Sequence, residues 1–161
     1  MPHDSAASRA SESHKRRVLA IGVFDLFHVG HLRYLQSARN FASHLTVAVT
    51  TDAISRSIKG KQPVISQDHR LEIIRGLGCV DKAELQPTST EETQVAGIWI
   101  KSWNIDHVAV SKEWEGSQRW YRLIPVLAEH CISVSFVPYT EVISTTQVIE
   151  KIVHANKERY T

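Results

Sequence analysis

The chain has 161 residues, 42% of them hydrophobic and 22% charged, which suits one domain with a full apolar core. A formal net charge of +2 argues against nucleic acid or an anionic membrane as the main partner, and no apolar run approaches a membrane-spanning length. Two cysteines, Cys79 and Cys131, with no C-x-x-C, argue against a disulfide framework or a zinc site. Two ordinary thiols and no apolar signal-peptide core make a cytoplasmic enzyme the expectation.

Residues 1–16 are polar, rich in Ser and Ala, and read as a disordered arm that ends in the basic lead-in His14-Lys15-Arg16-Arg17. Residues 17–161 read as the folded domain. Strands are expected near 17–22, 44–51, 80–85, 107–111 and 131–137, and helices near 29–42, 66–77, 90–103, 117–129 and 144–157. The segments Leu45-Thr46-Val47-Ala48-Val49 and Ile132-Ser133-Val134-Ser135-Phe136-Val137 are apolar and β-branched, as strands covered on both faces are. Strict alternation of strand and helix predicts βαβ units and a parallel sheet with helices on both faces. Pro125 is expected to break or kink the fourth helix into two short pieces. In open sheets of this kind ligands bind beyond the C-terminal strand ends, where strand order reverses. Gly22, Thr50-Thr51-Asp52, Ser111-Lys112-Glu113 and Pro138-Tyr139-Thr140 all fall on that edge.

The most informative run is Gly22-Val23-Phe24-Asp25-Leu26-Phe27-His28-Val29-Gly30-His31, between the first strand and a helix whose apolar face is Leu32, Leu35, Ala38 and Ala42. His28 and His31 share the first helical turn, beside unpaired backbone N–H groups and the positive end of the helix dipole, where anions bind. Gly30 has no Cβ, so a nucleotide could pack directly on the backbone there. Taken alone, two histidines at a helix start also serve as caps. Asp25 either orders its turn or meets Mg²⁺ or nucleotide, and Asp52 is equally open. Lys59-Gly60-Lys61, on the loop after Asp52, can close over a triphosphate and neutralise charge in the transition state, the plain alternative being a solvated basic loop. Arg70 reaches a phosphate or pairs with a carboxylate. Ser144 caps the last helix, a role compatible with phosphate binding at the same place.

His28-Val29-Gly30-His31 resembles the H-x-G-H signature of the nucleotidylyltransferases. The longer run resembles the G-T-F-D-x-x-H-x-G-H of the cytidylyltransferase branch, with Val23 for its threonine. Thr140-Glu141-Val142-Ile143-Ser144-Thr145-Thr146 resembles the R-T-E-G-I-S-T-T of that branch, and Glu113-Trp114-Glu115-Gly116 its D-W-E-G. The resemblance spans roughly 17–155. It implies an α/β fold with a Rossmann-like, doubly wound, five-stranded parallel sheet. It also implies transfer of CMP from CTP to a small phosphorylated or phosphonylated acceptor, with release of pyrophosphate. Mg²⁺ would ride on the phosphates, and the enzyme would be a homodimer.

In that reading His28, His31, Lys59 and Lys61 are catalytic. The nucleotide is held by Gly22, Val23, Phe24, Asp25, Gly30, Asp52, Arg70, Glu113, Trp114, Ile143, Ser144, Thr145 and Thr146, with the base beside Glu113 and Trp114. Besides Val23 for threonine and Glu113 for Asp, four places depart from the pattern. Gly78 and Tyr139 stand where the branch has arginines, Val142 where it has glycine, and Ser111-Lys112 where it has Gly-Asp. Two phosphate-facing cations are therefore expected to be missing, with Arg75, Lys112, Arg119 and Arg122 as candidate replacements. The acceptor, or its orientation, is expected to differ from glycerol 3-phosphate. Two other readings are an adenylyltransferase using ATP, like the archaeal-type FAD synthetases, and a nucleotide-binding regulatory module without turnover.

Overall fold

The structure is a computed structural model that describes residues 16–138, 140 and 143–159. The expected arm, except Arg16, lies outside the described residues, as do Tyr139 and Val142. Five strands form one all-parallel sheet: β1 (Arg17–Gly22), β2 (His44–Val49), β3 (Lys82–Leu85), β4 (His107–Ser111) and β5 (Ser133–Val137). Their order is β3-β2-β1-β4-β5. The helices are α1 (Val29–Arg39), α2 (Asp52–Lys59), α3 (Gln67–Arg75), α4 (Thr93–Ser102), α5 (Gln118–Glu129) and α6 (Thr145–Arg159). The doubly wound Rossmann-like architecture is the one expected, and no helix among the described residues is long and apolar enough to cross a membrane.

The period-two alternation of the strands divides the core between two faces. Val18 and Ala20 join Leu35, Ala38, Val47, Leu71 and Ile74 on the face that α1 and α3 cover. Leu19 joins Ala48, Trp99, Ile100, Val108, Leu123 and Leu127 on the face that α4 and α5 cover. Burial of Leu35 alone stabilises the seat of α1 by about 2 kcal/mol. That seat fixes where the first turn of α1, with both histidines, meets the sheet edge.

Strand order reverses between β1 and β4, and the two strands separate there. β1 pairs with β2 along its whole length, but with β4 only from Val18↔His107 to Ala20↔Ala109. Tyr34 of α1 fills the gap. Its buried hydroxyl donates to Ala109 O at 2.8 Å and accepts from Ile21 N at 3.3 Å. Burial pushes its phenol pKa up, so the hydroxyl stays neutral.

Two expectations change. The segment after Thr51 is a helix, α2, rather than a loop. Thr51 caps it by accepting from Ile54 N at 3.2 Å, and Gly60 ends it in the left-handed region at φ 66°. Pro125 does not break α5, which runs unbroken from Gln118 to Glu129. Pro125 lies on the solvent face, and Tyr121, whose carbonyl loses its partner, is 81% exposed. Water can satisfy that carbonyl, so the helix continues.

Candidate active site

β1 delivers the chain into a tight turn at Gly22. Within it, Phe24 and Leu26 hold left-handed conformations, at φ 56° and 46°. Each costs about 1–3 kcal/mol for a residue with a side chain and persists only where the surroundings impose it. The imposing contacts come from Asp25. Its carboxylate accepts from Val64 N at 2.8 Å, Ile65 N at 2.9 Å and Leu26 N at 3.1 Å. Its carbonyl accepts from Thr145 Oγ1 at 3.0 Å. Asp25 thus ties the turn to the 62–66 loop and to the start of α6. A Cβ on Gly22 would meet the Phe24 ring at 2.8 Å, which is why glycine ends the strand.

The same turn positions the histidines. His28 is the N-cap of α1 and accepts from Gly30 N through Nδ1 at 3.1 Å. His31 accepts from His28 N through its own Nδ1 at 3.3 Å, completing a reciprocal capping box. A backbone N–H can only donate, so in each neutral ring the proton is on Nε2. The rings stack at 3.8 Å between centroids. The two caps therefore leave two Nε2–H donors for a ligand. A Cβ on Gly30 would sit 2.8 Å from the His28 ring. The place of a side chain at position 30 is thus taken by the His28 ring, which is why glycine stands there.

Burial, reinforced by His28 and Lys59 against the opposing pull of Asp25, lowers the His31 pKa to about 4. Burial lowers that of His28 as well. The unfolded chain carries His31 at about its ordinary 6.5, so between these values it binds more protons than the folded chain. Stability from this group is complete above the ordinary value and is lost as pH falls toward 4. The melting temperature is expected to drop as pH is lowered through that window. His31→Gln, which can keep the cap but cannot titrate, should show a shallower slope. Thermal melts of both proteins across the window check this. Parallel slopes would mean that the imidazole is not held neutral by the fold.

The turn, both histidines, α2 and α6 surround one cavity of about 500 Å³, a volume typical of small-ligand sites. Gly22, Val23, Phe24, Asp25 and Gly30 form its floor with His28 and His31, while Lys59 and Lys61 border it from the end of α2. Neither lysine makes an ion pair among the described residues. Ile143, Ser144, Thr145 and Thr146 bring the α6 N-terminus to it, with Ser144 Oγ capping Gln147 N at 3.2 Å. Glu113 and Trp114 border it beyond β4. Among the described residues no cluster of three or more His, Cys, Asp or Glu could hold a metal ion.

Asp52 and Arg70 do not line the cavity, which corrects their expected place at the nucleotide. Arg70 is fully buried. Its Nε donates to Ile65 O at 2.9 Å, Nη1 to Thr50 O at 2.8 Å and to Val23 O, and Nη2 to Asp52 Oδ1 at 2.6 Å. Four of its five N–H donors thus hold together the loops after β1 and β2. Gly78 is not part of the cavity wall. Of the four proposed replacements only Arg119 lines the cavity. It sits 5.0 Å from the Trp114 ring centroid and donates to Glu91 Oε1 at 2.8 Å.

Thr50 and Ser111, expected on this edge, line the cavity with Arg119, and so do Tyr34, Ser55, Gln86 and Thr90, which the sequence did not single out. The last four are isolated polar residues in separate segments, and only the fold brings them together.

A cytidylyltransferase-like family model matches residues 19–151. The chain is 35% identical over 151 residues to the bifunctional protein HldE of Geobacter sulfurreducens, covering 89% of this chain and 28% of that relative. It therefore spans under a third of that protein's length. It is 32% identical over 133 residues to a glycerol-3-phosphate cytidylyltransferase of Bacillus spizizenii, covering 83% of this chain and 94% of that one. It is 33% identical over 147 residues to an FAD synthase of Thermococcus onnurineus, covering 88% and 94%. Among solved structures it resembles a lipopolysaccharide core biosynthesis protein from Thermoplasma volcanium. The TM-score is 0.62 at 27% identity, covering 80% of this chain and 98% of that one.

Proposed function

The chain belongs to the cytidylyltransferase-like family of nucleotidylyltransferases, and from that premise we propose that it transfers CMP from CTP to a small phosphorylated or phosphonylated acceptor. The observation that carries this reading is the pair of Nε2–H donors that the caps of His28 and His31 leave for a ligand, in the cavity shared with the α6 N-terminus and two lysines. An acceptor oxygen attacks the α-phosphorus in line. The new P–O bond forms as the bond to pyrophosphate breaks, and the acceptor's proton leaves to solvent. The imidazole N–H donors stabilise negative charge growing on the transferring and departing phosphates. Lys59 and Lys61 neutralise the triphosphate, and Ser144, Thr145 and Thr146 hold its outer end at the helix N-terminus. No side chain acts as a nucleophile, so positioning and electrostatics supply the rate.

The Asp25 oxygens already accept from loop amides. Mg²⁺ is accordingly assigned to phosphate oxygens and water, where it would shield the triphosphate's charge. A homodimer in the cytoplasm belongs to the same proposal, resting on the family likeness.

A second reading, transfer of AMP from ATP, is supported by the likeness to an FAD synthase of similar identity and coverage. The likeness of Glu113-Trp114-Glu115-Gly116 to the D-W-E-G of the cytidylyltransferases favours CTP, while the exocyclic amine that the Glu113 carboxylate would accept from is carried by cytosine and adenine alike. Incubation with α-labelled CTP or ATP, Mg²⁺ and an acceptor panel decides between them. Label entering a CMP-linked product supports the first reading. Label entering only from ATP replaces it with the second.

A further inference from the structure

Beyond β2 and β3 the cavity wall is polar but uncharged. Thr50, Gln86, Ser55 and Thr90 line it there, and all four are at least nine-tenths buried, with Ser55 at 4% and Thr90 at 3% exposure. Thr50 Oγ1 donates to Gln86 Oε1 at 2.8 Å, and Gln86 Nε2 donates to Thr88 O at 2.8 Å. A carbonyl can only accept, so the amide's orientation is fixed. This leaves Thr50 Oγ1 with free lone pairs and Gln86 Nε2 with a second N–H. An acceptor atom and a donor atom side by side match a hydroxyl, which both gives and takes a hydrogen bond. The hydroxyls of Ser55 and Thr90 make no hydrogen bond among the described residues and open onto the cavity, so two more polar groups of this wall await a partner.

This wall lies across the histidine turn from Glu113 and Trp114. Strand order places β2 and β3 on one side of β1, and β4 on the other. With the base beside β4 and the reacting phosphate at the α1 N-terminus, the β2–β3 side falls to the acceptor.

We propose that Thr50, Gln86, Ser55 and Thr90 form a hydroxyl-reading subsite that selects a polyol or sugar phosphate as acceptor. The proposal rests on the nucleotidylyl-transfer reading above. Neutral hydrogen-bonding groups discriminate strongly here, because an acceptor without hydroxyls would cover them and leave them unpaired.

The test compares the wild type with Thr90→Val and Ser55→Ala, neither of which breaks a side-chain hydrogen bond among the described residues. The probes are glycerol 3-phosphate and glucose 1-phosphate against ethanolamine phosphate and choline phosphate, with whichever nucleotide turns over. Hydroxylated acceptors should be preferred. Each substitution should raise their KM by about tenfold, with the KM for nucleotide and the melting temperature unchanged. Turnover confined to ethanolamine or choline phosphate would overturn the subsite while leaving transfer intact. So would a KM rise for the nucleotide alone, which would assign the hydroxyls to its ribose, or no change in either KM. If the wild type turns over nothing, the transfer reading fails. The subsite is then judged by calorimetric binding of glycerol 3-phosphate and glucose 1-phosphate. Binding weakened by Thr90→Val upholds it, and no binding, or binding unaffected by the substitution, overturns it.

Discussion

Replacing His31 with alanine is expected to lower kcat by about 10²–10³-fold, the loss seen when one preorganised hydrogen-bond donor to developing charge is removed. The KM for nucleotide should change little, because the donor acts mainly where charge grows during the reaction. The substitution also removes the acceptor for His28 N, found at 3.3 Å. Loss of a cap of this kind costs about 1 kcal/mol, a few degrees of melting temperature in a domain of this size. His31→Gln separates the two effects. Its side-chain oxygen can take the place of Nδ1 in the capping box, as glutamine does in other helices. Stability should recover while turnover stays low. A well-folded His31→Ala protein with normal kcat would remove the imidazole from the mechanism.

Replacing Arg70 with methionine should have the largest effect on stability, about 3–5 kcal/mol from the broken buried ion pair with Asp52. That is a large part of a typical domain's total stability. The same change orphans the carbonyls of Val23, Thr50 and Ile65. Arg70→Lys should not rescue it, since one ammonium cannot serve acceptors spread in the plane of a guanidinium. Urea denaturation followed by circular dichroism reads the midpoint. A midpoint within error of the wild type would show that the buried guanidinium does not hold the loops together. Activity should fall with stability, because Val23 lies in the histidine turn and Ile65 beside the amide that Asp25 grips.

The sheet was legible because each strand core is a short apolar run and each expected helix an amphipathic one. α2 escaped because Asp52–Lys59 is only two turns long: Ile54 and Ile58 share one face, but two apolar residues one turn apart are too short a pattern to mark a helix. The consequence is specific: Lys59 closes a helix, and Ser55 faces the cavity one turn before it. The histidines were legible as a motif, but their capping and ligand-facing roles looked like alternatives. The structure shows one arrangement, in which capping through Nδ1 sets the tautomer that presents Nε2–H. Arg70 was visible as a cation, whereas its role was not. Its acceptors at 23, 50, 52 and 65 are distant in sequence and meet only when β1 and β2 pair. Tyr34 is similar, because its value depends on the parting of β1 from β4, which no local pattern records.

The most direct measurement is pyrophosphate release from CTP with Mg²⁺, in the presence and absence of acceptor, with the wild type and His31→Ala in parallel. The expected result is release that needs an acceptor, matches the CMP-linked product one for one, and nearly vanishes in His31→Ala. Release that ignores the acceptor, or that His31→Ala leaves intact, would contradict transfer driven by the histidine pair, as would CTP binding with no release across the panel.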